Sequence, residues 1–184
     1  MTPMAHAASG YLAAQAVNFI NPALGFDKLE IIIPAVIGAT ISDIDLLFVK
    51  NYKDYRDSII HMPFFWLIVL MAGYLFSLLI NSELLKMMIA SFGLGMFSHI
   101  FFDWLTVDEK GVGDMKLLYP FSNKRFAFNP RSATGKKYSN KYIFSMKYVK
   151  SYMTGRLLFF EIFFIVLGSL VFLLKSNILK LLIN

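Results

Sequence analysis

This chain predicts an all-α integral membrane bundle of about five helices with one long basic loop, and three observations lead there. Its 184 residues are 57% hydrophobic and 16% charged, with a mean hydropathy of +0.59, values outside the usual range of a soluble domain. Residues 62–80, MPFFWLIVLMAGYLFSLLI, carry no charged side chain and match the roughly 20 residues needed to cross a hydrocarbon core about 30 Å thick. Eleven of the 18 Lys and Arg, against three of the 12 acids, fall between residues 106 and 156, so that segment is +8 and the rest of the chain −2.

The elements follow in order. The opening MTPMAHAASGYLAAQ lacks the basic start and long apolar core of a secretory signal and is expected to belong to the mature fold. From about Ala5 to Ile20 it is rich in small residues, too short and too alanine-rich to face lipid on all sides, and therefore predicts a helix packed among others. NPALGFD, 21–27, breaks that helix at Asn-Pro. Residues 31–49, IIIPAVIGATISDIDLLFV, predict a second, weaker segment. The run 62–80 is the third, and residues 84–105 are the fourth, whose GLG at 93–95 suits close helix packing. Residues 157–174, LLFFEIFFIVLGSLVFLL, form the last span, broken only by Glu161. The whole chain, 1–184, reads as a single membrane domain, with 106–156 a basic interfacial loop within it.

The cation bias places that loop in the cytoplasm, and the short basic-leaning connection KNYKDYRDS, 50–58, on the same side. Counting helices back from the loop then assigns each polar residue to a membrane face. The fourth helix ends cytoplasmically at SHIFFDWLT, 98–106; the third starts there at His61; the second ends there at Asp43 and Asp45; the first begins there at His6. All three histidines, the acid pair and Asp103 thus gather at one boundary from four separate segments.

His99 and Asp103, at i and i+4, share one helix face, the spacing at which two side chains ligate one ion or an Asp orients a His. A plain hydrogen-bonded pair near a helix end has the same spacing. On a continuing helix Asp43 and Asp45 would point apart, so one is expected to ligate and the other to support it or serve a second metal where the helix unwinds; a simple helix stop is the alternative. With no cysteine in the chain, disulfides, thiolate sites and cysteine nucleophiles are excluded, and any metal must be held by His, Asp or Glu. Imidazole and carboxylate donors suit Zn²⁺ first, with Mn²⁺ or Fe²⁺ as alternatives, as one or two ions with open positions for an activated water. Glu161, about one turn inside the last span, is either functional or an acid that snorkels or pairs near the interface. LLYPFSNKRFAF, 117–128, sets Lys124 and Arg125 among apolar anchors, either as cations resting on anionic headgroups or as a clamp for a phosphate or carboxylate. RSATGKKYSNKYIFSMKYVK, 131–150, alternates cations with tyrosines; membrane-surface binding explains it more simply than nucleic acid.

MAHAASG, SDID after an apolar helix, a His opening the next helix, then SHIFFDWLT and LLYPFSNKRF, in that order, resemble the YdjM-like family of membrane-bound metal-dependent hydrolases over roughly residues 1–130. The resemblance implies a helical membrane protein whose ligand pattern is related to zinc-dependent phospholipase C, with His6, an acid of the Asp43/Asp45 pair, His61, His99 and Asp103 as metal ligands. Two departures stand out. YRDSIIHM, 55–62, keeps Arg56 and His61 but has Tyr55 where the family usually places a first His, and Ser42 stands where a proline often precedes the acid pair.

The expected function is a metal-dependent hydrolase at the cytoplasmic face of a bacterial inner membrane, acting on a phosphoester or phospholipid headgroup. Asp103, or whichever of Asp43 and Asp45 is not ligating, would accept the proton, and Lys124, Arg125 and Arg56 would hold the anionic group. The alternative is a non-enzymatic metal-binding membrane protein or a metal-ion carrier. A carrier needs polar groups through the full thickness, and their concentration at one face favours a site over a pathway.

Overall fold

The computed structural model describes residues 2–47, 58–105, 115–124, 126 and 156–175. Among the described residues five α-helices carry the fold: α1 Pro3–Ile20, α2 Leu29–Ile41, α3 Pro63–Leu79, α4 Glu83–Leu105 and α5 Arg156–Lys175. No strand occurs among the described residues; the all-α expectation holds, and the helices fall where the apolar runs placed them.

Local chemistry explains the boundaries. Thr2 caps α1, its hydroxyl accepting the Ala5 N–H, and Pro3 follows at the first helical position, where the missing N–H costs nothing. The helix stops at Asn21 before a 3₁₀ turn over Pro22–Leu24, closed by Gly25 in the left-handed region (φ 65°). Pro63 opens α3 as Pro3 opens α1. Ser82 turns the chain into α4, its hydroxyl accepting the Leu85 N–H.

The helix α2 lies between α4 and α1, with α3 on α4 and α5 on α1. The crossings are close because they are built on glycine. A Cβ on Gly95 would strike the Ala35 carbonyl, one on Gly38 the Phe92 carbonyl, and one on Gly10 both Ala35 and Ala39. Where lipid supplies no hydrophobic drive between helices, such backbone proximity is what dispersion requires. The GLG in α4 thus serves both sides of the helix, Gly95 toward α2 and Gly93 toward Leu70 of α3.

The outward faces are apolar. Leu67, Met71, Leu75 and Phe76 on α3 and Phe159, Phe163, Val166 and Leu170 on α5 are all 40% or more exposed, far more contiguous apolar surface than a water-soluble monomer presents. Among the described residues two helices, α4 and the Leu158–Lys175 portion of α5, are long and apolar enough to cross a membrane, and α3 is a shorter apolar helix.

A small antiparallel bridge pairs Met115 with Phe126, each N–H donating to the other's carbonyl at 3.0 Å. Met115 is fully buried against Trp66, Met96 and Ile100, while Leu118 and Phe121 in the intervening turn are exposed. The remainder of the basic loop up to residue 155, including 131–150, lies outside the described residues, as do residues 48–57, which hold all of the 50–58 connection but Ser58.

Candidate metal centre

Two helix ends and two 3₁₀ turns deliver the polar residues to one place. α1 brings His6 on its first turn, α4 brings His99 and Asp103 on its last two turns, and a 3₁₀ turn over Ile59–His61 places His61 just before α3. At Ser42 the α-helical ladder of α2 tightens into a 3₁₀ turn, Ser42–Leu47, and in this turn Asp43 is buried. Asp45 shares that turn, and its side chain lies outside the described residues.

All five side chains are at least nine-tenths buried, His6 and His99 completely. Asp103 is the hub: its Oδ1 lies 3.2 Å from His6 Nε2, and its Oδ2 lies 3.7 Å from His99 Nε2 and 3.8 Å from His61 Nε2. His61 and His99 face each other Nε2 to Nε2 at 3.4 Å, and Asp43 Oδ1 stands 4.0 Å from His99 Nε2. The His6 ring stacks on His99, centroids 4.0 Å apart.

The orientation of His99 is set from outside the cluster. Its Nδ1 lies 2.7 Å from the Ala39 carbonyl, and because a carbonyl only accepts, Nδ1 carries the proton. The neutral ring then presents the bare Nε2 lone pair to the cluster, the arrangement a metal-ligating histidine requires. Ala39 O is available because it belongs to the last turn of α2, where carbonyls have no intrahelical donor left.

Could a metal sit here? The atoms His61 Nε2, His99 Nε2 and Asp103 Oδ2 form a nearly equilateral triangle, and a point equidistant from all three lies about 2.1 Å from each, the bond length of zinc to imidazole or carboxylate. His6, Asp43 and His99 form a second triad of mutually close donor atoms. Two carboxylates taken out of water against imidazoles are costly without a counter-charge, and a divalent cation would balance both. The residues fit such an ion.

Several partners were invisible in the sequence. The Ser42 hydroxyl donates to the Ile60 carbonyl at 3.1 Å, and Trp66 Nε1 donates to the same oxygen, so the residues preceding Asp43 and His61 are tied together. Ser9, one turn below His6, donates to the His6 carbonyl at 2.8 Å and lies 3.4 Å from the Ser98 hydroxyl. Glu161 is buried, its carboxylate on Thr2 rather than in the cluster. Lys124 is exposed, its ammonium 5.8 Å from the Phe126 ring centre, and it pairs with no described carboxylate. Arg56, Tyr55 and Arg125 lie outside the described residues.

A family model described as YdjM inner membrane protein matches residues 1–179, which takes in all five helices. No curated protein and no solved structure matches the chain.

Proposed function

The chain belongs to the YdjM family of inner membrane proteins, and we propose that it is a metal-dependent hydrolase of phosphoesters, its site at the cytoplasmic face and its substrate a phospholipid headgroup. The observation that carries this reading is the convergence of His6, Asp43, His61, His99 and Asp103, buried and with donor atoms at coordination spacing, at one end of a lipid-facing bundle.

A divalent ion there, Zn²⁺ by the donor set, supplies acidified water and polarisation of a phosphoryl oxygen. The protein's own part is orientation and proton handling. The Ala39 carbonyl holds the His99 ring so that Nε2 faces the centre. Asp103, touching all three histidines, keeps them in register, and an oxygen of Asp103 or of the Asp43/Asp45 pair that is not engaged in binding accepts the proton of the attacking water. Burial of the cluster excludes bulk water, which strengthens each of these electrostatic contacts. Lys124, with Arg125 and Arg56, draws the anionic group toward the centre. Phe121, exposed and edge-on to Phe64 at the start of α3, and the exposed Leu118 set the ribbon into the interface where headgroups lie.

Two measurements test the reading. Purified protein in detergent should contain stoichiometric metal by elemental analysis, lost in His99→Ala. The metal-loaded protein, screened against phosphomonoesters, phosphodiesters and phospholipids, should hydrolyse at least one class. Metal-free protein, or metal-loaded protein that cleaves none of them but moves metal into liposomes in a manner abolished by Asp103→Asn, would replace the hydrolase with a carrier or a structural site.

A further inference from the structure

Glu161 is a buried carboxylate on a helix whose other faces are apolar, and nothing in the metal-site reading uses it. An acid in that setting is expensive unless its oxygens are satisfied. Oε1 accepts the Thr2 backbone N–H at 2.8 Å and Oε2 accepts the Thr2 hydroxyl at 2.9 Å, a two-pronged grip across 159 residues of sequence. Thr2 is in turn the cap of α1. Its hydroxyl accepts the Ala5 N–H at 3.4 Å, and its carbonyl accepts the His6 N–H at 3.0 Å. The last link is His6 itself, whose Nε2 lies 3.2 Å from Asp103.

We propose that Glu161 is a positioning residue for the metal centre: through Thr2 it clamps the first turn of α1 and holds the His6 imidazole in the coordination position. This rests on the metal reading above. The packing agrees with it. Gly168, two turns along α5 from Glu161, lets the helix approach Ala8 so closely that a Cβ would lie 3.2 Å from the Ala8 methyl, and Phe164 stacks edge-on against Phe102 of α4 at 4.5 Å. α5 therefore braces the two helices that carry His6 and Asp103, with Glu161 at the ligand end of that brace. A carboxylate at an α1 N-terminus also complements the helix dipole, which fixes the turn more firmly than a neutral contact would.

Without the clamp, the first turn of α1 frays and His6 leaves the ligand set, whereas the remaining four donors come from segments α5 does not hold in this way. The test is Co²⁺ binding to the full-length protein in detergent, read by the visible ligand-field spectrum and by competition with Zn²⁺. Glu161→Ala is expected to weaken Co²⁺ at least tenfold and to shift the spectrum toward that of His6→Ala. Glu161→Gln, which can still accept the Thr2 N–H, is expected to bind within about threefold of the parent. In a His6→Ala background, Glu161→Ala should cause no further loss. Thr2→Val, which removes one prong only, should fall between and serves as the measurement if Glu161→Ala does not fold. The proposal is overturned if Glu161→Ala binds with parental affinity and spectrum, or if its penalty persists undiminished without His6. Failure of the parent protein to bind Co²⁺ or Zn²⁺ at all overturns the metal reading itself, a distinguishable result.

Discussion

The hydroxyl of Ser42 donates to the carbonyl of Ile60, fastening the residue before Asp43 to the residue before His61. Two short 3₁₀ turns, far weaker than helices as scaffolds, each deliver one of the cluster's side chains, and this bond joins them directly. Removing it should loosen the site while leaving the fold. Trp66 Nε1 still satisfies the Ile60 carbonyl in Ser42→Ala, so no buried acceptor is stranded. The expected cost is about 1 kcal/mol, seen as roughly fivefold weaker metal binding in a dye-competition titration, with the thermal midpoint little changed. An unaltered affinity would show that the two turns hold their geometry separately.

Asp103 and Asp43 should not be equivalent. Asp103 approaches all three histidines to within 3.8 Å, whereas Asp43 stands 4.0 Å from His99 and within 4.8 Å of His6. Asp103→Asn is therefore expected to lower metal affinity by about two orders of magnitude or more, and Asp43→Asn by about one, since ligand loss is worth more than the 10- to 100-fold typical of an outer partner. Isothermal titration in detergent would rank them, and the reverse order would move the centre of the site toward the His6–Asp43–His99 triad.

How far the sequence foretold this follows from the range of each interaction. His99 and Asp103 were visible because i and i+4 positions share a helix face whatever else the chain does. Their meeting with His6, His61 and an acid of SDID was visible because alternating spans leave only two faces to choose between. The burial of Asp43 was not, because it depends on α2 tightening into a 3₁₀ turn at Ser42. Ser42 looked like a departure from a proline, yet its hydroxyl is the link to Ile60. The Ala39 carbonyl that orients His99 and the Thr2 that occupies Glu161 are 60 and 159 residues from their partners, and no local pattern reports such pairings.

The crossing of α2 and α4 should be the most fragile part of the bundle. Gly95 leaves no room for a side chain beside the Ala35 carbonyl, and one turn further along the same two helices His99 reaches the Ala39 carbonyl. Gly95→Val must push the helices apart, at about 1–3 kcal/mol for overpacking, and this displacement also pulls His99 from its acceptor. Expected are a lower midpoint in a detergent thermal-shift assay and reduced metal content in whatever folds. Gly73→Ala is the control: its Cβ would meet only the flexible end of Ile89, and both readouts should stay near parental values.

On the proposed function, a change in the ribbon between Met115 and Phe126 should distinguish a lipid substrate from a soluble one. Its base is keyed into the core through Met115, and its turn exposes Phe121, 79% accessible, with the ring edge-on to Phe64 at 4.9 Å. An exposed phenylalanine fastened to the start of a lipid-facing helix gains free energy by entering the headgroup boundary, and a carboxylate there would lose it. Lys124, three residues on, is then held where phosphate groups are dense. Phe121→Asp should reduce hydrolysis of phospholipid in mixed micelles or vesicles by about tenfold while leaving turnover of a short, soluble phosphodiester and metal content unchanged. Lys124→Ala should instead raise KM for both substrates, because it removes an attraction to the phosphate shared by the two. Equal losses on both substrates in Phe121→Asp would mean that the ribbon supports the metal centre and does not seat the protein against lipid.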